Sequence, residues 1–96
     1  MQVVINSDYG GFNLSDEAEQ EYKKRTGMMH FESYRPTDPR QGRADPDLIA
    51  VVKRLGDKAS GDFCTLKIIT IPDNVEWGIH SYDGREWVAE EHRTWS

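Results

Sequence analysis

The sequence predicts a small α+β domain over residues 1–96, with the element order β-α-α-β-β-β and an antiparallel sheet of three to four strands. Two segments combine helical spacing of apolar residues with helix-capping residues. The last third shows strand-like alternation around an Asp83-Gly84 turn. A chain of 96 residues is too short to divide into two cores, so we expect one domain.

The N-terminal segment contains a β-branched run, Val3-Val4-Ile5, followed by the glycine-containing sequence Tyr9-Gly10-Gly11-Phe12. β-Branched residues favour a strand, and paired glycines are typical of a tight turn with positive φ. The glycines could also bring backbone N–H groups to a phosphate, but the segment lacks the spacing of a dinucleotide-binding loop and the lysine of a P-loop. We therefore interpret this segment as a strand that leads into a turn.

The first helix is predicted over residues 16–26. Ser15 is a suitable N-cap, acidic residues follow it at the positive end of the helix dipole, and Gly27 provides the stop. The apolar stripe of this helix consists essentially of Ala18 and Tyr22. A stripe this thin predicts a helix at the surface of the domain.

The second helix is predicted from Pro46 to about Leu55. Asp45 is placed as its N-cap, proline suits the first helical position, and Gly56 ends it. This helix should be the better buried of the two, because four apolar residues recur at helical spacing, namely Leu48, Val51, Val52 and Leu55.

Between the helices, residues 28–44 contain two prolines, a glycine and three arginines, a composition that predicts an exposed loop. Arg35, Arg40 and Arg43 could form a guanidinium cluster for a phosphate or an acidic partner. Exposed arginines are common, so a simply solvated loop is the alternative.

The C-terminal third is predicted to form an antiparallel β-meander from Thr65 to about His92. Phe63–Ile71 carries apolar residues on both faces, which favours a central strand. Alternation resumes after Pro72 and continues to Asp83-Gly84, a sequence that suits a two-residue type I′ turn. The return strand begins at Arg85.

The turn also fixes the register of the last two strands, pairing Trp77 with Glu90 and Ile79 with Val88. We assign the face with Val75, Trp77, Ile79 and Val88 to the core. The opposite face would present a shallow surface to a helix or a partner, formed by His80, Tyr82 and Trp87 beside the small pair Gly78 and Ala89.

Composition disfavours several classes of function. The net charge is −5, with acidic ends around a basic middle, so direct nucleic-acid binding is not expected. No apolar run reaches the length of a membrane span, and the first residues do not resemble a signal peptide, so we expect a cytoplasmic protein.

Metal binding and catalysis have little support in the sequence. Three histidines and one cysteine lack paired ligand spacing, so we expect no metal and no cofactor. Cys64 lies in an apolar pattern and is interpreted as a small buried hydrophobe. Glu90 and His92 fall on one side of the last strand and could act as an acid/base pair, but strand alternation produces such pairs by chance. We assign no catalytic residue.

One further pattern concerns the whole chain. Its parts are Tyr9-Gly10-Gly11-Phe12 with Leu14-Ser15, Asp45-Pro46-Asp47-Leu48, Ile71-Pro72-Asp73, Val75-Glu76-Trp77, Tyr82-Asp83-Gly84 and Glu86-Trp87-Val88. The pattern resembles a group of small uncharacterised proteins carried by bacteriophages and prophages. The resemblance implies an accessory factor that binds host machinery, in the manner of anti-CRISPR and other anti-defence proteins, and it implies no catalytic residues.

Three hypotheses follow. The first is a non-enzymatic phage accessory protein that binds and inhibits a host protein, plausibly a defence nuclease complex, through an acidic and aromatic surface. The residues assigned to that surface are Glu76, Tyr82, Glu86, Trp87, Glu90, Glu91 and Trp95.

The second hypothesis is a nucleotide-signal binding protein that holds phosphate with Arg35, Arg40 and Arg43 and a base against Tyr9 or Trp95. The third is a small enzyme that uses Glu90 and His92. For Trp95, packing on its own domain is favoured over a role as an interface anchor, because its ring buries a large area, and a homodimer is left open.

Overall fold

Four strands and two helices follow one another in the predicted order in a computed structural model, which describes residues 1–29, 31–32 and 37–90. This confirms the α+β class. The elements are β1 (Gln2–Asn6), α1 (Asp16–Thr26), α2 (Pro46–Leu55), β2 (Leu66–Thr70), β3 (Trp77–Tyr82) and β4 (Arg85–Glu90), with a short 3₁₀ turn at Gly56–Ala59 after α2.

Both helices begin and end at their predicted capping residues. The Ser15 hydroxyl accepts from the Ala18 N–H at 3.1 Å, and the Asp45 carboxylate accepts from the Asp47 N–H at 2.9 Å. Asp45 also accepts from the Tyr22 hydroxyl at 2.6 Å, which links the buried side of α1 to the start of α2. The capping residues of α2 therefore also fix the packing of the two helices.

The four strands form two separate two-stranded sheets, so the predicted meander is wrong. β2 pairs antiparallel with β1, and β3 pairs antiparallel with β4. The strand β2 begins at Leu66, whereas Phe63 is 82% exposed and has a φ of 56°. Apolar residues on both faces of β2 do indicate cover on both sides, but its neighbour in the sheet is the N-terminal strand.

The β1–β2 sheet lies between the helices and the β3–β4 hairpin. Val4 packs in a core with α1 and α2, whereas Val3 and Ile5 pack in a second core with Trp77 of the hairpin. Alternate residues of a strand point to opposite faces, so three successive positions of β1 serve both cores. The predicted core face of the hairpin is confirmed, since Val75, Ile79 and Val88 join Trp77 there.

The hairpin has the predicted register, with Trp77 opposite Glu90 and Ile79 opposite Val88. Asp83 has a φ of 54° and Gly84 a φ of 88°, as a type I′ turn requires at both central residues. The turn type and pairing predicted from the sequence are therefore both confirmed.

The segment between the helices differs from the exposed loop that was predicted. Phe31 and Arg43 are buried. The Pro39 carbonyl accepts from the Ile79 N–H at 2.7 Å, and the Arg43 carbonyl accepts from the Val4 N–H at 2.9 Å. The described part of this segment thus satisfies backbone donors of β3 and β1. In residues 1–29, 31–32 and 37–90, no helix has the length and apolar character needed to cross a membrane.

Candidate functional site

The β3–β4 hairpin separates its side chains into two chemically different faces. Paired residues share a face, so Trp77, Ile79 and Val88 lie on the inner face, toward the β1–β2 sheet. The opposite, outer face carries the pairs His80–Trp87 and Tyr82–Arg85, with the small pair Gly78–Ala89 beside them. Tyr82 is 75% exposed and Trp87 is 46% exposed, which is unusual for side chains of this size.

A groove of about 380 Å³ lies at the turn end of this outer face. It is lined by Tyr82, Arg85, Glu86 and Trp87 from the hairpin and by Tyr9 from the loop after β1. Tyr9 is 57% exposed, and the Arg85 guanidinium lies 5.9 Å from the centre of its ring. Three exposed aromatic residues from two separate chain segments therefore converge on one concave surface.

Asn6 holds the Tyr9 loop against the hairpin turn. Its fully buried side-chain amide donates to the Asp8 carbonyl at 2.8 Å and to the Gly84 carbonyl at 2.9 Å. Its side-chain oxygen accepts from the backbone N–H groups of Asp8 and Thr65, each at 3.0 Å. Because one buried residue bonds to three segments, the Tyr9 loop and the hairpin turn are held in fixed positions on the two sides of the groove.

Glu86, which lines the groove, belongs to the inner face and forms a buried ion pair there. Arg43 donates from Nη1 to Glu86 Oε1 at 2.5 Å and from Nη2 to Oε2 at 2.8 Å. The Asn6 backbone N–H donates to the same Oε1 at 2.8 Å, and the guanidinium carbon lies 3.6 Å from the centre of the Phe12 ring. The carboxylate is thereby neutralised and bonded at both oxygens.

This pair corrects two assignments made from the sequence. Glu86 was assigned to an acidic surface and Arg43 to an exposed anion-binding cluster, yet both residues are buried and bonded to each other. The hairpin register already contained the signal for Glu86, because it pairs with Ser81 on the same face as Trp77 and Val88. A carboxylate on a core face needs a buried cation, and Arg43 supplies it.

The predicted arginine cluster does not assemble in the part of the chain that is described. Arg40 is exposed, and its guanidinium lies 5.0 Å from the centre of the Trp77 ring. Its carbonyl accepts from the Arg43 N–H at 3.0 Å, but the ion pair of Arg43 is with Glu86. Arg35 lies outside the described residues. The nucleotide-binding hypothesis thus loses Arg43 as a free phosphate ligand.

The remaining predicted site residues are placed only in part. Glu76 and Glu90 are exposed, and Glu90 lies at the far end of the hairpin from the turn, beside a small apolar groove that includes Pro72 and Trp77. Glu91, His92 and Trp95 lie outside the described residues, so the Glu90–His92 pair is not placed. The described ranges contain no group of three or more His, Cys, Asp or Glu side chains suited to a metal ion.

Cys64 is buried, and burial raises the pKa of its thiol. Its backbone N–H donates to the Gly61 carbonyl at 3.3 Å, in the turn that precedes β2. A buried thiol with a raised pKa is a poor nucleophile, which agrees with the structural role assigned from the sequence.

Comparison with known proteins assigns the chain to no family, because no family model, curated protein or solved structure matches it.

Proposed function

We propose that this chain is a non-enzymatic binding protein whose partner docks on the outer face of the β3–β4 hairpin. The observation that carries the proposal is the convergence of Tyr9, Tyr82 and Trp87, all substantially exposed, on one groove. Tyrosine and tryptophan are enriched among the residues that dominate binding energy at protein interfaces.

The inner face of the hairpin explains why these aromatic residues point outward. Trp77 fills the core under the hairpin and is 2% exposed. The Arg43 guanidinium donates to the Glu86 carboxylate on the same inner face. Trp77 thus attaches the inner face of the hairpin to the β1–β2 sheet, and the Arg43–Glu86 pair attaches the same face to the segment between the helices. Tyr82 and Trp87 lie on the opposite face from that attachment, so a binding role accounts for their exposure better than a stabilising role does.

The resemblance to phage-encoded proteins supports a host protein as the partner, of the class of defence nuclease complexes, which the binding would inhibit in the host cytoplasm. The exposed carboxylate of Glu76, directly before β3, would add electrostatic attraction to a basic surface of that partner. Glu90 is also exposed, but it pairs with Trp77 and therefore shares the inner face. A salt-sensitive association is expected, because exposed charges are screened at high ionic strength.

Affinity capture from a lysate of the bacterial host tests this proposal. The wild-type chain is compared with the double variant Tyr82→Ala/Trp87→Ala and with the matched control Met28→Ala/Met29→Ala, which removes two exposed apolar side chains elsewhere. We expect one dominant partner with the wild type and the control and its loss with the outer-face variant. Equal capture by all three folded proteins would refute the proposal.

A further inference from the structure

The groove at the turn end of the hairpin combines aromatic rings with hydrogen-bond donors. Tyr9 and Tyr82 carry phenol O–H groups, Trp87 carries an indole N–H, and Arg85 carries a guanidinium. Within the described residues, neither the two phenol O–H groups nor the indole N–H donates to a protein acceptor. These groups can therefore donate to an incoming ligand without breaking a bond inside the domain.

We infer that this groove binds a proline-containing segment of the partner in the polyproline II conformation, an inference that rests on the proposed function and specifies its ligand. A polyproline II segment has no internal hydrogen bonds, so its carbonyl groups are free to accept from phenol and indole donors. Its proline rings pack on aromatic side chains, and its restricted backbone loses little entropy on binding.

The position of the groove favours this ligand over a strand or a helix. Tyr82 and Trp87 project from the face of the hairpin, whereas an added strand would bind along an edge through backbone groups. The groove is lined by five residues, one of which is the cation Arg85. An amphipathic helix needs a longer apolar surface to place successive turns.

The charged residues near the groove predict the charge of the ligand residues beside the prolines. Asp8 and Asp83 are exposed and adjoin the lining residues Tyr9 and Tyr82 in the sequence. Asn6 bonds to the carbonyls of Asp8 and of Gly84, the residue after Asp83. Arg85 is the cation lining the groove, and the carboxylate of Glu86 is neutralised by Arg43. The two exposed carboxylates next to the lining residues outnumber the single guanidinium, so a basic residue beside the prolines is favoured and a nucleic-acid backbone is disfavoured.

A titration with defined probes tests the inference. The probe is a short peptide of consecutive prolines with an arginine at each end, added to the full chain labelled with ¹⁵N. The readout is the indole N–H resonance of Trp87, assigned with Trp87→Phe. We expect a saturable shift of this resonance, and about a tenfold loss of affinity in Tyr82→Ala, since an aromatic contact is removed.

Three control titrations test whether binding depends on proline, excludes nucleic acid and depends on charge. The same peptide with alanines in place of the prolines should bind about tenfold more weakly, and a single-stranded oligothymidylate should not shift the Trp87 resonance. Asp83→Asn keeps a residue that suits the type I′ turn while it removes one charge. It should weaken the arginine-flanked peptide several-fold and leave a glycine-flanked proline peptide unchanged.

The results that would overturn the inference differ from those that would overturn the proposed function. Equal binding of the alanine peptide, or stronger binding of the oligonucleotide, would overturn the inference. If no proline peptide shifts Trp87 while partner capture still depends on Tyr82 and Trp87, the inference fails and the proposed function stands. If partner capture is also independent of both residues, both fail.

Discussion

Arg43 and Glu86 form a two-pronged ion pair inside the domain, with the arginine side chain 2% exposed and the glutamate side chain 8% exposed. Arg43 precedes α2, and Glu86 lies in β4, so the pair joins the segment between the helices to the inner face of the hairpin. Asn6, at the end of β1, donates its backbone N–H to the same carboxylate. The orientation of the hairpin, and hence of its outer face, depends on this contact.

Removal of one member of the pair should destabilise the fold strongly, because the other charge is left buried without a partner. Glu86→Ala and Arg43→Ala should each lower the free energy of unfolding by about 3–5 kcal/mol. Replacing both residues with apolar ones, Arg43→Met with Glu86→Leu, should recover most of that loss, since no charge then remains buried. Urea unfolding followed by circular dichroism measures all three effects.

An exposed ion pair in the same domain serves as the control. Arg54 donates to Glu21 at 2.9 Å, but the arginine side chain is 66% exposed. Arg54→Ala should change the free energy of unfolding by no more than about 1 kcal/mol. Losses of similar size in Arg54→Ala and Arg43→Ala would contradict the importance given to the buried pair.

A side chain at Gly84, in the turn of the hairpin, should destabilise the fold through both backbone strain and a steric clash. The two effects can be measured separately. Gly84 and Gly11 both have positive φ, at 88° and 84°, but a Cβ at Gly84 would lie 2.3 Å from the Tyr9 carbonyl oxygen, whereas one at Gly11 has no neighbour within 4 Å. Gly11→Ala should therefore cost about 1–2 kcal/mol from backbone strain alone. Gly84→Ala should lower the free energy of unfolding by more than Gly11→Ala does, as measured by thermal unfolding of both variants. Equal losses in the two variants would exclude a role for the close contact with Tyr9.

The two tryptophans of the hairpin should differ in their contribution to stability. Trp77→Ala leaves a cavity in the core between the β1–β2 sheet and the hairpin. It should lower the free energy of unfolding by about 3–5 kcal/mol. Trp87→Ala acts on the outer face, where the ring is 46% exposed, and should lower the free energy of unfolding by only about 1 kcal/mol. Chemical denaturation of both variants measures the difference, and comparable losses would show that the outer face stabilises the fold.

The thiol of Cys64 should react slowly in the folded protein. Burial raises its pKa, so less thiolate is present near neutral pH than for an exposed cysteine. Alkylation by iodoacetamide at pH 8 should be slow in buffer and rapid in concentrated urea, as followed by mass spectrometry. Fast labelling of the folded chain would show that Cys64 is accessible.

Local signals allowed the sequence to predict the helices and the hairpin. Ser15, Gly27, Asp45 and Pro46 mark helix ends through bonds within a few residues, and Asp83-Gly84 sets a register through its own backbone geometry. The choice of partner strand for β2 is not local. Its apolar residues suit a neighbour at either end of the chain, and β1 provides that neighbour.

The candidate site was predictable where it depended on the hairpin. Tyr82 and Trp87 follow from strand alternation, and the same alternation places Glu86 on the inner face. The contribution of Tyr9 to the groove was not predictable, because it depends on Asn6 linking segments that are far apart in the sequence. The partnership of Arg43 with Glu86 has the same origin, since it spans 43 residues.

Site-specific photocrosslinking tests most directly whether a partner binds the outer face. A photoreactive phenylalanine analogue is placed at position 82 in one protein and at position 29 in another, because Tyr82 and Met29 are similarly exposed, at 75% and 78%. After irradiation in host lysate, we predict a single covalent adduct with a host protein from position 82 and none from position 29. An adduct from position 29 but none from position 82 would contradict the account.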